Sequence, residues 1–283
     1  MATAQTQFFK SIILIGGNPY PCQPTCSLTV PKNFIVPMII GNNWQFNYAE
    51  GLQQPVVDVN LVVRDVAGEV LGSTFLNYFL TRTSDAAFDT SAIASGLDFW
   101  DGRTGFNMAG VKADSFSISG SKGQPIQMTA RFCGTSISAL GSAPTFTSWN
   151  NKNLLTFKHV NFAGALADIV WQFGISYANN HTPDLSLNGT NYAAAQNAGV
   201  PTAGLNIMVQ AADSAPNNNP VPVSLTAIQA SIVGANVTRN LILNNAIDNT
   251  ENNRAVGAGR VMRPHSYQCL GADGNTTGPL SIS

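Results

Sequence analysis

Hydrophobic and polar residues alternate with a period of two across residues 115–132, SFSISGSKGQPIQMTARF. Phe116 and Ile118 alternate with Ser115, Ser117 and Ser119. Beyond a short stretch containing Gly120 and Gly123, Ile126, Met128, Ala130 and Phe132 alternate with Gln127, Thr129 and Arg131. Successive side chains of a strand point to opposite faces, so this pattern predicts a hairpin around a glycine-flanked turn. One face, carrying Phe116, Ile118, Ile126, Met128 and Phe132, is expected to be buried. The other carries hydroxyls, an amide and a single arginine, with no carboxylate.

Similar runs recur along the chain between prolines and glycines. Residues 56–76 place Val57, Val59, Leu61 and Val63 opposite Asp58 and Asn60, and Ala67–Gly68 predicts a turn returning through Val70. Within 155–177, Ile169, Trp171, Phe173 and Ile175 alternate with Val170, Gln172, Gly174 and Ser176, again a strand. Late strand signals occur in SLTAIQASIV and VTRNLILNNAI, after a proline- and asparagine-rich loop at 214–223. Residues 27–40 are apolar but broken by prolines, which suits an edge strand or an extended arm. Two short helices are predicted: 84–100, with Ser84 as cap and Gly96 as stop, and 190–199. The class is therefore mainly β, a sandwich with one or two short flanking helices. Residues 51–283 read as one domain. Residues 1–50, including the apolar run Ile12, Ile13, Leu14 and Ile15, read as an N-terminal arm acting between subunits, because they pattern poorly as a sheet of their own.

Composition changes this picture in one respect. Only 10% of the 283 residues are charged, and 14 basic residues nearly balance 15 acidic ones, against roughly 25% charged in typical soluble domains. So weak a net field does not attract nucleic acid or anionic lipid. It also does little to keep copies of the chain apart. The deficit fits a surface buried against other subunits, or equally a glycine- and asparagine-rich extracellular β-domain. Ile12–Ile15 is too short to span a membrane, which takes about 20 residues, and it lacks the flanks of a signal peptide. A soluble, unprocessed chain is expected.

The residues that could carry chemistry do not converge. The closest acidic clusters, RDVAGE (64–69) and LDFWDG (97–102), lie beside glycines, where Asp98 and Asp101 are expected to organise turns. His159, His181 and His265 occur singly, without a metalloprotease, nucleophile-elbow or phosphate-loop motif. Arg254, Arg260, Arg263 and His265 form a small basic group that either meets phosphate or solvates a strand. Cys22 and Cys26 are close enough to pair in a tight loop or to share a metal. With Cys133 and Cys269 they are too few for a disulfide scaffold, and a structural zinc site takes four ligands. Free thiols are the third alternative. No catalytic residue, cofactor or metal is assigned, and no enzymatic activity is expected.

Residues 106–134, FNMAGVKADSFSISGSKGQPIQMTARFCG, resemble the central signature of bacteriophage tail tube (major tail) proteins. The matching positions are Gly110, Ser115, Phe116, Ser117 and Ile118, the turn at Gly120 and Gly123, then Phe132 and Gly134. The order of later elements is also similar through residue 283. The resemblance implies a β-sandwich whose hairpins contribute to a β-barrel shared between subunits, in hexameric rings that stack into a tube within the virion tail. Copies of itself and other tail proteins would be its partners. Double-stranded DNA would pass through during genome ejection without sequence-specific binding, and no membrane would be involved. Ser115, Ser117, Ser119, Gln127, Thr129 and Arg131 would then line the lumen. Family lumens are often acidic; this face is nearly neutral and carries Arg131. A coat, decoration or glycan-binding sandwich is the alternative.

Overall fold

A computed structural model describes residues 12–22, 26–29, 34–35, 49–50, 53–81, 91–145, 153–166, 169–183, 196–197, 199–210, 224–249, 255–257, 260–271 and 278–283. The protein is mainly β, with two large antiparallel sheets packed as a sandwich around an apolar core. The smaller sheet has five strands, in the order Ser136–Leu140, Gly105–Ala109, Leu97–Trp100, Ile12–Ile15 and Asn18–Pro19. The larger has twelve. Its central run is Val56–Val62, Gln127–Cys133, Lys112–Ser121, Val170–Ala178, Thr202–Gln210 and Arg260–Cys269, followed by the hairpin Thr238–Asp248 and Ser224–Val233. Ser27–Thr29 lies at one edge, on Val56–Val62, and Val160–Phe162 at the other.

The hairpin of residues 115–132 forms with Ser117 opposite Thr129 and Ile118 opposite Met128. Phe116, Ile118, Ile126, Met128 and Phe132 are all buried. Gly120 is needed within the first strand because Phe173 crosses it: a Cβ there would sit 2.8 Å from the ring. On the next strand Phe173, Ile175 and Tyr177 continue the buried side. A bulge between Val170 and Gln172 turns Trp171 out of the predicted alternation, and it lies half-buried under Lys122.

The expected hairpin over 56–76 is only half present. Val56–Val62 is a strand with Val57, Val59 and Leu61 buried. The chain does not return beside it, because Arg64 and Glu69 form a buried ion pair across the turn, with Arg64 Nε donating to Glu69 Oε2 at 3.0 Å. The helix Ser73–Leu80 follows. Its eight residues are below the ~12–15 needed for an isolated helix in water, and its N-cap, Gly72, supplies no side-chain hydrogen bond. Packing holds it instead. Phe75 and Phe79 meet Phe132 at ring-centroid distances of 6.3 and 5.5 Å, and Phe79 meets Phe116 at 5.0 Å. The fully buried Asn179 donates to the carbonyls of Phe79 and Ala113, tying the helix end to the sheet.

Both helices expected from sequence are corrected where the structure describes them. Leu97–Trp100, the end of the expected helix 84–100, is a strand paired with Ile12–Ile15 and Gly105–Ala109. Residues 82–90 lie outside the described residues. In 190–199, Gln196–Asn197 pairs as strand with Thr182–Pro183, and 190–195 lie outside the described residues. The expected arm is also altered. Ile13 and Ile15 are buried in the subunit's own core, and Ser27–Thr29 pairs with Val56–Val62, so parts of residues 1–50 belong to the sandwich. Residues 36–48 lie outside the described residues.

The larger sheet rolls until strands near its two ends approach each other. Asp65, just past Val56–Val62, is buried and accepts hydrogen bonds from the backbone N–H groups of Ala235, Asn236 and Val237 at 2.9–3.0 Å. The Asn236 side chain donates to it as well, at 2.9 Å. These groups form the turn joining Ser224–Val233 to Thr238–Asp248. Arg239 Nε adds a bond to the Leu71 carbonyl at 2.9 Å. The roll is fastened by side chains and does not close into a barrel. Among the described residues, no helix is long and apolar enough to cross a membrane.

Candidate functional site

The side of the larger sheet opposite the core is the most extensive feature that the packing leaves unused. Strand pairing places the predicted polar residues in rows. Asn60, Thr129, Ser117, Ser176, Gly204 and Gln268 form one row across six neighbouring strands. Gln127, Ser119, Gly174, Asn206 and Ser266 form the row on one side of it. Asp58, Arg131, Ser115, Ala178 and Thr202 form the row on the other. The six candidates Ser115, Ser117, Ser119, Gln127, Thr129 and Arg131 thus share one surface. Ser119, Gln127, Thr129 and Arg131 are exposed, while Ser115 and Ser117 are half-buried.

The lone arginine is not a lone charge. Arg131 Nε donates to Asp58 Oδ1 at 2.8 Å, and a second guanidinium nitrogen donates to Oδ2 at 3.2 Å. The hydrogen bond to Asp58 raises the Arg131 pKa further. Both side chains remain about half exposed, so the pair contributes at most about 1 kcal/mol to stability. Its effect is local neutrality, because Asp58 and Arg131 are the only charged side chains in the three rows. Next to them the Thr129 hydroxyl donates to Ser117 Oγ at 3.4 Å. Period-two alternation made both Asp58 and Arg131 visible in the sequence, but not their pairing across 73 residues.

Small side chains at Ser176, Ala178 and Gly204 leave a shallow depression of about 440 Å³ in this face. Ser115, Ser117, Thr202, Asn206, Ser266 and Gln268 contribute to its lining, and no charged side chain does. These groups can hydrogen-bond to water, to sugar hydroxyls or to a passing backbone. They include no nucleophile paired with a base. A second hollow, of about 510 Å³, lies beside the hairpin turn, where Lys122 and Lys158 meet Phe157, Phe162 and Trp171. The Lys122 ammonium stands 3.8 Å over the Trp171 ring.

Several other titratable residues among the described ones have structural partners. Asp101 accepts the backbone N–H groups of Thr104 and Arg103, which hold its carboxyl below the usual range and fix the turn. Asp98 accepts a hydrogen bond from Asn107 at 2.6 Å. His159 accepts the Thr156 N–H at 3.0 Å within a short 3₁₀ turn. Burial would raise the Asp114 carboxyl, but hydrogen bonds from His181 outweigh it and lower the pKa. Two members of the basic group in the last third of the chain, Arg263 and His265, face inward. Arg263 and His265 are buried, and His265 Nδ1 lies 2.7 Å from Asp248 Oδ2. Those two residues are not available to phosphate at the surface. Arg254 lies outside the described residues. Among the described residues, no group of three His, Cys, Asp or Glu side chains is placed to hold a metal ion.

No family model matches this chain, and no curated protein is significantly similar to it.

Proposed function

We propose that the protein is a non-enzymatic structural subunit of a phage tail tube. In this reading it assembles with copies of itself into stacked rings in the virion, and the three-row polar face lines the channel for DNA. The observation that carries the reading is the neutrality of that face over six strands. A DNA conduit must stay hydrated without gripping phosphate. Affinity for a duplex grows with the number of cations that displace its counterions, and here the one cation is matched by Asp58. Hydroxyl and amide groups keep water at the wall without adding charge. The low charge of the whole chain also suits a subunit enclosed on several sides.

Negative-stain electron microscopy of the purified protein tests this reading. Tubes or stacked rings are expected. Monodisperse particles at all concentrations and salts would overturn it. The uncharged depression favours a second reading, a virion-surface or adhesion sandwich that binds a glycan through hydroxyl and amide contacts. Monodisperse particles that capture sugars on a glycan array, and lose them on Asn206→Ala, would establish that reading instead.

A further inference from the structure

Cys22 and Cys26 flank three residues near the edge of the larger sheet. Each is anchored to the same neighbouring strand. Cys22 forms a β-bridge with Leu61, and the Cys26 thiol points at the carbonyl oxygen of Asn60, 3.8 Å away. Ser27, the next residue, pairs with Asp58. The anchor points therefore differ by at most about two strand residues, a span of roughly 7 Å. Disulfides bridge Cα separations of about 4.4–6.8 Å. The two thiols lie near enough to shift each other's pKa. Both are half-buried, whereas Cys133 and Cys269 are buried.

From this geometry we infer that Cys22 and Cys26 form a reversible dithiol–disulfide site, which when oxidised closes the loop leading into the edge strand Ser27–Thr29. The co-reactant is a low-molecular-weight disulfide. The Cys22 thiolate attacks one of its sulfurs, forming a mixed disulfide and releasing one thiolate. Cys26 then gives up its proton, attacks the Cys22 sulfur and releases the second. The protein loses two hydrogens and the small disulfide is reduced to two thiols. The order of attack follows from the environment. The hydrogen bond from Cys26 lowers the Cys22 pKa against the effect of burial, while the same contact and burial raise that of Cys26. Cys133 and Cys269 stay out of the exchange, because burial pushes both thiols up to about 12 and the thiolate is the reactive form. The site stays open in a reducing compartment and closes in an oxidising one.

The test uses the full chain, reduced, desalted and treated with oxidised glutathione under native conditions. Intact mass spectrometry should show loss of two hydrogens. Alkylation mapping should show Cys22 and Cys26 blocked, while Cys133 and Cys269 react only after unfolding. Dithiothreitol should restore both thiols. Cys26→Ser should instead trap a stable glutathione adduct on Cys22. A stable glutathione adduct on the unmodified chain with Cys26 still alkylatable would overturn the inference, and so would no reaction at either residue.

Discussion

The outer face of the larger sheet and the seam where that sheet rolls together treat polar groups in opposite ways. On the outer face the side chains are mostly small and polar, and the two charges there, Arg131 and Asp58, are paired with each other. At the seam Asp65 is buried, charged and surrounded by donors from one turn. Arg64, Glu69 and Arg263 are buried as well. This chain has few charges, and several of them hold the fold from within. The neutral face is thus more than a consequence of low charge content, because the charges that do exist are placed elsewhere or, at Arg131 and Asp58, cancelled. The two regions should therefore respond differently to mutation, strongly at the interior and weakly at the face.

The largest effect should come from the apolar side of the hairpin itself. Phe116→Asp removes a buried ring that touches Phe79 and Tyr177. Loss of such a ring costs about 3–5 kcal/mol before the burial of a charge is added. Failure to accumulate folded protein is the expected result, read by chemical denaturation or by solubility.

Asp65→Ala should follow. It leaves the N–H groups of Ala235, Asn236 and Val237 without their acceptor, a loss on the order of 3 kcal/mol, measurable as a fall in the denaturation midpoint. Its pH dependence sharpens the comparison. Burial would raise the Asp65 carboxyl, but the hydrogen bonds from Asn236, Val237 and Ala235 prevail and hold it below its ordinary value. A depressed folded-state pKa stabilises the fold above the unfolded value of about 3.9, and that contribution is lost as pH falls through the folded value. The difference in stability between the natural chain and Asp65→Asn should be constant near neutrality and shrink in acid. A difference that grows in acid would refute the latch.

The outer face should tolerate change in stability but not in charge. Ser117→Lys combined with Thr129→Lys should leave folding and assembly intact. In a ring the added cations would make the wall adhesive, with affinity falling steeply as salt rises. Slowed DNA ejection at low salt, relieved at high salt, is the expected outcome. Unchanged ejection through correctly assembled tubes would remove this face from the lumen. Ser117→Ala should have the smallest effect, within about 0.5 kcal/mol of the natural chain, by the same denaturation assay.

The parts of the fold that were legible in the sequence are those where local pattern and tertiary packing agree. In the hairpin both strands alternate and lie close in the chain, so one period-two reading gives the buried face, although the pattern does not mark the register shift between Arg131 and Phe132. The helix Ser73–Leu80 was not legible, since its sequence, STFLNYFL, is rich in residues that favour strands and it owes its shape to Phe116, Phe132 and Asn179. The reverse error occurred at Leu97–Trp100, where capping signals upstream indicated a helix and pairing with Ile12–Ile15 imposed a strand. The polar face was half legible. Its serines and threonine follow from alternation, whereas its width and the neutralisation of Arg131 depend on strands far apart in the chain.

The seam also places a constraint on how this sequence can diverge. A side chain at Gly234 would collide with the Asp65 carboxylate, so the nearest atom a Cβ would meet is the oxygen that fastens the roll. The two positions are therefore bound to a shared history. A lineage that keeps the carboxylate must keep the glycine, and one that fills position 234 must first find another acceptor for the turn. Descendants of this chain should be recognisable by a paired aspartate and glycine long after the outer face has drifted.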